Sequence, residues 1–295
     1  MTYLPPIAVP VRTIGGRSFD FEHQIVVMGI VNRTPDSFYD DGSTFALDAA
    51  VAAGQRARSY GADWVDVGGV PFSPDVPKVT VDSELERVVP VVEGLVSRRM
   101  VVSVDTVRPV VAQAVLSAGA AVINDTSGLR DPELADVVAS STATLVITHS
   151  VAPPGQSLRR PAYGDVVAEV RAFLESRIEL AMARGVPAER IVIDPGHDLN
   201  KNTRHSLEIT RRLDELADLG FPVLAAVSNK DFLGEAVGLE RGERLEASLA
   251  AATVCVLRGA RILRMHDVAA TVRAARMTEA ILGLREPAYL RHNMT

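Results

Sequence analysis

Hydrophobic residues in this chain gather into short continuous runs, and several of these runs close on a polar signature. Stretches such as IVVMGIV, VVSV, AVI, IVI, VLAAV and RIL lead into six polar groups in a fixed order. These are the segment Met28–Phe38 with Asn32 inside it, Ser103–Thr106, Asn124–Gly128, Asp194–Gly196, Ser228–Lys230 and Arg264–Asp267. The runs are rich in Val, Ile, Leu and Ala and do not alternate with polar residues, which is the pattern of parallel strands covered on both faces. They predict strands near 25–31, 63–68, 100–104, 121–124, 143–148, 190–194, 222–227 and 261–264. Amphipathic stretches between them predict helices near 45–60, 82–98, 107–118, 131–140, 164–184, 204–218, 242–258 and 267–283. Asp131-Pro132 fits a helix start, while Gly119, Gly185 and Gly220 fit helix stops.

Eight strand–helix units without a linker predict a single-domain α/β fold, a (β/α)8 TIM barrel over residues 25–295. Polar residues at the carboxyl ends of successive strands are how such a barrel builds one active site. A doubly wound sheet is the main competitor, but it would gather the polar signatures near one switch point. Residues 1–24 hold two short extended pieces around Gly15-Gly16 and read as a hairpin capping the bottom of the barrel. The longest irregular stretches, 32–44, 69–81 and 150–162, all follow strands and are candidate mobile loops of the catalytic face.

Composition narrows the class. The 295 residues are 47% hydrophobic and 23% charged, enough for one large core. A net charge of −6 argues against nucleic acid as a partner. No apolar run approaches the roughly 18 residues that span a bilayer, and the first residues do not read as a secretory signal. Cytoplasm is the default expectation, in which the sequons at Asn32, Asn124 and Asn293 carry no weight. The single cysteine, Cys255, lies in an apolar run and reads as core.

The candidate chemistry lies at the strand ends. Asp105 and Asp194 are each open to metal ligation, acid–base work, acceptance of N–H bonds or simple capping of the next helix. Together with the amide of Asn124 and the ammonium of Lys230 they suit a flat heterocycle edged with N–H donors and a carbonyl. Asn32, Arg264 and His266 fall on the first and last strands, which are neighbours once a barrel closes. Arg264 and His266 read there as an anion clamp, against an ion pair in the barrel mouth for Arg264 and helix capping for His266. There is no glycine-rich phosphate loop, no zinc-spaced His/Cys cluster and no Gly-x-Ser-x-Gly elbow.

From about residue 25 to 283 the order of motifs resembles dihydropteroate synthase. The family pattern appears as Asn32-Arg-Thr-Pro-Asp-Ser-Phe38, Ser103-Val-Asp-Thr106, Asn124-Asp-Thr-Ser-Gly128, Asp194-Pro-Gly196, Ser228-Asn-Lys-Asp-Phe-Leu-Gly234 and Arg264-Met-His-Asp-Val268. The resemblance implies a pterin slot formed by Asp105, Asn124, Asp194 and Lys230, and a pyrophosphate site from Asn32, Arg264 and His266 with Mg²⁺ near Asn32. It places the catalytic roles on Lys230, Asp105 and Asp36, and implies a homodimer. In the family reaction 4-aminobenzoate attacks the methylene of a dihydropterin as pyrophosphate leaves. Preorganised charge must then stabilise a cationic pterin and a departing anion.

The second loop departs from the family. Where the pattern is Gly-Gly-Glu-Ser-Thr-Arg-Pro-Gly, this chain reads Gly68-Gly-Val-Pro-Phe-Ser-Pro-Asp75. Val70 replaces the acid, Phe72 the threonine and Ser73 the arginine. Serine matches a guanidinium in neither charge nor reach. Losing one charge-assisted bond is worth roughly 1.5–3 kcal/mol, or roughly 10- to 150-fold. Leu199 stands at an aromatic position lining the aminobenzoate site, Asn200 replaces a glycine, and Asn229 replaces the arginine before the site lysine. The segment 146–150 lacks the family's methionines. Arg33 replaces a valine, and either brings charge toward the anion site or points to solvent. The expected function is a synthase homologue with a retained pterin and anion pocket, a degraded aminobenzoate site and weak or absent condensing activity. The alternatives are an active synthase with a remodelled loop, a non-catalytic pterin-binding protein, and a methyl-tetrahydrofolate-binding barrel with a corrinoid partner.

Overall fold

The computed structural model describes residues 4–33, 46–71, 78–153, 155–156 and 158–293. The chain opens with an antiparallel hairpin, β1 (Val11–Ile14) and β2 (Arg17–Asp20), turned by Gly15 and Gly16. Both glycines have positive φ, 56° and 73°, which a two-residue hairpin turn favours. A Cβ on Gly15 would lie 3.1 Å from the Ala121 side chain, so the turn abuts the barrel.

Eight parallel strands follow: β3 (Val26–Asn32), β4 (Trp64–Gly68), β5 (Val101–Asp105), β6 (Val122–Asp125), β7 (Thr144–Thr148), β8 (Ile191–Asp194), β9 (Val223–Ala225) and β10 (Ala260–Met265). They close as β10-β3-β4-β5-β6-β7-β8-β9, the predicted barrel. Helices surround it: α1 (Leu47–Ser59), α2 (Val81–Val96), α3 (Pro109–Ser117), α4 (Glu133–Ala139), α5 (Val166–Ala183), α6 (Thr203–Arg211), α7 (Asp214–Ala217), α8 (Asp231–Val237), α9 (Leu245–Leu257) and α10 (Val268–Leu282). Among the described residues no helix is long and apolar enough to cross a membrane.

Side-chain alternation divides the buried residues into two cores. Val27, Val65, Val67, Val102, Val104, Ile123, Leu145, Ile147 and Ile193 pack outward against the helices. Val26, Met28, Trp64, Val101, Val122, Val146, Val192, Leu224 and Ile262 fill the barrel interior. The hairpin contributes Ile14, Phe19 and Phe21 to this inner core, and Phe19 meets Trp64 edge-on at 5.7 Å between centroids. The expected cap is therefore a plug whose aromatics complete the barrel floor.

Local signals explain most element ends. Asp165 accepts from the amides of Val167 and Ala168, and Asp267 from that of Ala270, each at a helix start. Gly119, Gly185 and Gly220 have positive φ, as expected of helix stops. The helix expected at 131 begins at Glu133, with Asp131 accepting from the Glu133 amide at 3.0 Å. The helix expected over 204–218 divides at Arg212, which leaves helical geometry (φ −112°, ψ 28°) and pairs with Asp165, Glu208 and Glu215. One short helix, α8, was not foreseen; Gly238 ends it at φ 71°. Cys255 is fully buried, and burial pushes its thiol up to about 12.

Candidate active site

Pleating arranges the interior in tiers. Two residues above the inner core, the eight strands present Ile30, Asp66, Ser103, Asn124, Thr148, Asp194, Ala226 and Arg264. Six of these eight are polar, so the barrel changes from oil to charge within one tier. Two residues higher stand Asn32, Gly68, Asp105, Thr126, Ser150, Gly196, Ser228 and His266. Asp105 lies in register with Gly68 on one side and Asn124 on the other, and Asn32 faces Gly68.

Asp66, which sequence reasoning passed over, organises the lower tier. It is fully buried; Arg264 Nε donates to its Oδ2 at 2.7 Å and Asn124 Nδ2 at 3.2 Å. Arg264 Nη2 also stands 3.5 Å from Asp105 Oδ2, and Thr126 Oγ1 donates to Asp105 Oδ1 at 3.3 Å. The read anion clamp is thus ion-paired with two carboxylates. Burial works against the guanidinium's charge, but Asp66 and Asp105 more than offset it and raise its pKa. Asp105 is pushed up to about 7, chiefly by burial, with Asp66 and Glu84 adding and Arg264 opposing. Several buried polar atoms of this tier have no hydrogen-bond partner within the described residues: Asp66 Oδ1, Ser103 Oγ, Asn124 Oδ1 and Thr148 Oγ1.

Asp194 accepts from the Gly196 amide at 2.7 Å, and burial raises its pKa against the pull of Lys230, Lys201 and Arg264. The turn after β8 repeats a left-handed backbone at Gly196, Asp198 and Asn200 (φ 68°, 64° and 51°). A Cβ on Gly196 would fall 2.2 Å from the His149 carbonyl oxygen, so only glycine fits. Lys201 folds back into this turn. Its Nζ donates to the carbonyls of Gly196 (2.9 Å), Leu199 (3.1 Å) and His149 (3.4 Å) and meets His149 Nδ1 at 2.8 Å. Burial lowers Lys201 to about 7, and burial with Lys201 lowers His149 to about 2. Asn200 accepts from the Leu158 amide and donates to Ser150 Oγ, tying the turn to the segment after β7.

Lys230 sits at the start of α8, and burial lowers its pKa while Asp198, its strongest opposing partner, holds it up. Asn229 before it is left-handed (φ 57°), a conformation asparagine tolerates. Arg244, buried, fixes this turn through the carbonyls of Asn229 (3.1 Å) and Lys230 (3.2 Å) and through Asp231 Oδ1 (2.8 Å). At the β10 end, Ser228 Oγ accepts from the His266 amide (3.1 Å) and lies 2.9 Å from its Nδ1, which orients the ring.

Among the described residues Arg33 reaches α2. Its Nη1 donates to the carbonyls of Glu86 (2.8 Å) and Arg87 (2.7 Å) on α2. Pro90, inside α2, has no N–H for the Glu86 carbonyl four residues back, and Arg33 supplies a donor to that carbonyl. Val70 and Pro71 are described, Val70 being exposed. Asp36, Phe72 and Ser73 lie outside the described residues, as do most of the loops expected over 32–44 and 69–81.

The strand ends thus carry carboxylates, an amide and cations in one mouth, at the barrel end where the motifs predict them. Residues 28–266 match the pterin binding enzyme family. The chain is 44% identical over 279 residues to the inactive dihydropteroate synthase 2 of Mycobacterium leprae, covering 92% of this chain and 95% of that protein. This chain belongs to the dihydropteroate synthase family. Its identity to the dihydropteroate synthase of Escherichia coli is 37% over 272 residues, covering 92% of this chain and 96% of that one. The Xanthomonas albilineans dihydropteroate synthase, solved in complex with 7,8-dihydropteroate, superposes with a TM-score of 0.83 at 41% identity, over 92% of this chain and 99% of that one.

Three contributors escaped the sequence reading. Asp66 lies inside an all-buried strand, but counting by twos from Gly68 puts it on the inner face. Asp198 and Arg244 act on Lys230 from a turn and from the residue before α9, where no periodic signal reaches.

Proposed function

We propose that this chain is a pterin-binding member of the dihydropteroate synthase family that condenses a dihydropterin diphosphate with 4-aminobenzoate weakly or not at all. The observation that carries this reading is a split between two halves of one mouth. The pterin half keeps Asp105, Asn124, Asp194 and Lys230 around a tier with unpartnered acceptors. The second-loop sequence and the turn after β8 carry Val70, Phe72, Ser73 and Leu199 where the family pattern has acid, threonine, arginine and an aromatic ring. Resemblance to a relative named as inactive supports the same conclusion.

In this reading Asp105 and Asp194 accept from ring and amino N–H groups, while Asn124 and Lys230 address the heterocycle's acceptors. Asn32, Arg264 and His266 would face a diphosphate, and Asp36 is the third catalytic candidate beside Lys230 and Asp105. For Mg²⁺ the fit is partial. Asn32 offers one amide oxygen beside Gly68, and Mg²⁺ usually completes its shell with substrate phosphates and water. The group of Asp20, Glu22 and His23, half-buried at Asp20 and exposed at the other two, lies where the hairpin ends, away from this mouth. A cytoplasmic homodimer belongs to the same reading.

The test is a turnover assay of purified protein with dihydropterin diphosphate and 4-aminobenzoate. Activity should fall at least one to two decades below that of an ordinary member, since each lost anion contact is worth roughly that much. Restoring the loop (Val70→Glu, Pro71→Ser, Phe72→Thr, Ser73→Arg) should raise activity measurably, though not fully, because Leu199 and Asn229 remain. The retained pterin half and the likeness to the dihydropteroate synthase of Escherichia coli favour a second reading, a working synthase with a remodelled loop. Growth of a synthase-deficient strain on the unmodified chain would establish that reading instead.

A further inference from the structure

We propose that Asn200 sets the size of ligand that the pocket takes. Its carboxamide ties the chain after β7 across the mouth beside Leu199, admitting a pterin that ends at its exocyclic methylene and excluding one with an arylamine arm. The inference rests on the pterin reading and adds the size class of the ligand to it. Asn200 is left-handed (φ 51°) in the turn after β8. By the family resemblance glycine stands here, and glycine takes such a backbone without strain. The turn itself makes no use of the carboxamide, because Lys201 Nζ already serves the carbonyls of Gly196, Leu199 and His149. Both ends of the carboxamide leave the turn instead. Oδ1 accepts from the Leu158 amide at 2.8 Å, and Nδ2 donates to Ser150 Oγ at 3.2 Å. Ser150 Oγ passes its own hydrogen to the Ala152 carbonyl at 3.0 Å, which fixes the direction of that bond.

The tied chain is held on either side of Leu158 as well. Ser150, buried in the upper tier of the mouth at the end of β7, has its carbonyl bound by Arg130 Nη2 at 3.4 Å. Beyond Leu158, the Tyr163 hydroxyl donates to the Asn200 carbonyl at 3.1 Å, and the Tyr163 ring meets His205 on α6 edge-on at 4.9 Å. Asn200 thus makes three bonds to the chain between β7 and α5. Leu199, its neighbour in sequence, stands where the family pattern has the aromatic residue lining the aminobenzoate site. Chain that rises from the end of β7 and is bonded to Asn200 therefore lies on the β7–β8 side of the mouth, against that same subsite. A pterin held by Asp105, Asn124, Asp194 and Lys230 does not need this space. An aminobenzoate ring attached through the methylene does. With glycine at position 200 both side-chain anchors would be gone, and the tied chain would yield to the arm. Discrimination of this kind is built by obstruction as well as by lost attraction.

The experiment compares the full chain with Asn200→Gly in calorimetric titrations of 6-hydroxymethyl-dihydropterin and of 7,8-dihydropteroate, which carries the arm. Glycine keeps the left-handed backbone, and a circular dichroism melt verifies the fold. The unmodified chain should bind the alcohol at least as tightly as dihydropteroate. In Asn200→Gly, hydrogen exchange should quicken in peptides covering residues 158–163. Dihydropteroate should then bind about fivefold more tightly while affinity for the alcohol stays as it was, since each released bond is worth roughly two- to tenfold. Tyr163→Phe, which removes one bond and leaves position 200 alone, should move the ratio in the same direction by a smaller factor. A ratio unchanged in both folded variants overturns the assignment to Asn200, as does exchange that stays as slow as before. Equal gains for both ligands overturn the size preference, because mere loosening would produce them. Tighter binding of dihydropteroate by the unmodified chain overturns the exclusion while leaving the pterin reading intact. Binding of neither ligand by the unmodified chain overturns the pterin reading, and this inference with it.

Discussion

At the scale of residues, the mouth of the barrel holds two carboxylates on one guanidinium. Asp66 takes Arg264 Nε at 2.7 Å, while Asp105 has only the longer contact to Nη2 at 3.5 Å. Burial outweighs that weaker pairing, so Asp105 is pushed up to about 7, against about 3.9 for an unfolded aspartate. Between those values the folded chain holds a proton that the unfolded chain has released. The stability from this group is therefore fully present below about pH 4 and is lost as pH rises through about 7. Asp105→Asn removes the cost of ionising a buried acid. Its melting temperature should exceed that of the unmodified chain near about pH 8, with the advantage shrinking toward about pH 4. Scanning calorimetry across that range checks it, and a more stable unmodified chain at the alkaline end would contradict the buried-acid account. Asp105, Asn124, Asp194 and Arg264 were legible because each follows an apolar run, where a polar side chain has to face the mouth. Asp66 sits inside a run, and only counting by twos along the strand reveals it.

At the scale of elements, the turn after β8 shows how one buried ammonium replaces a web of backbone bonds. Gly196, Asp198 and Asn200 are all left-handed, which turns carbonyls inward where no helix or strand can pair them. Lys201 Nζ donates to three of the local carbonyls. A buried acceptor left without a donor costs roughly 1–3 kcal/mol, so Lys201→Met should lower the melting temperature by several degrees. Amide exchange should quicken across residues 195–201 while α1 remains as before; unchanged exchange in the turn would refute the bracing role. Such a turn has no periodicity, so the sequence marked it only through the spacing of Asp194-Pro-Gly196. The same limit hid α8, at seven residues too short to show a helical stripe, and the division of α6 from α7. The eight long strand–helix units were legible because burial on both strand faces and one helix face leaves a continuous mark in composition. The bond from Arg33 to α2 needed a fact about another element, the missing N–H of Pro90.

At the scale of the whole molecule, two nested cores explain why one end of the barrel is free for chemistry. The hairpin closes the other end with Ile14, Phe19 and Phe21, so the interior is filled from below and its polar tiers lie toward the top. The outer surface is less evenly covered. On α10 the buried stripe runs through Val268, Thr271, Ala275, Thr278 and Glu279. Met277 and Ile281, four residues apart and hence on one side of the helix, are 60% and 71% exposed. Val254 on neighbouring α9 is 41% exposed. A barrel helix needs a single apolar stripe, and a second one, off the buried face, suits a partner surface. A second copy of this chain is the expected occupant, since α9 is apolar on both its buried and open sides while the family resemblance implies a dimer. Light scattering at micromolar concentration should give about twice the 31.6 kDa of one chain. Met277→Glu combined with Ile281→Lys should shift that mass to one chain's worth without altering the circular dichroism spectrum. A single-chain mass for the unmodified protein would remove the α9–α10 face as the dimer surface.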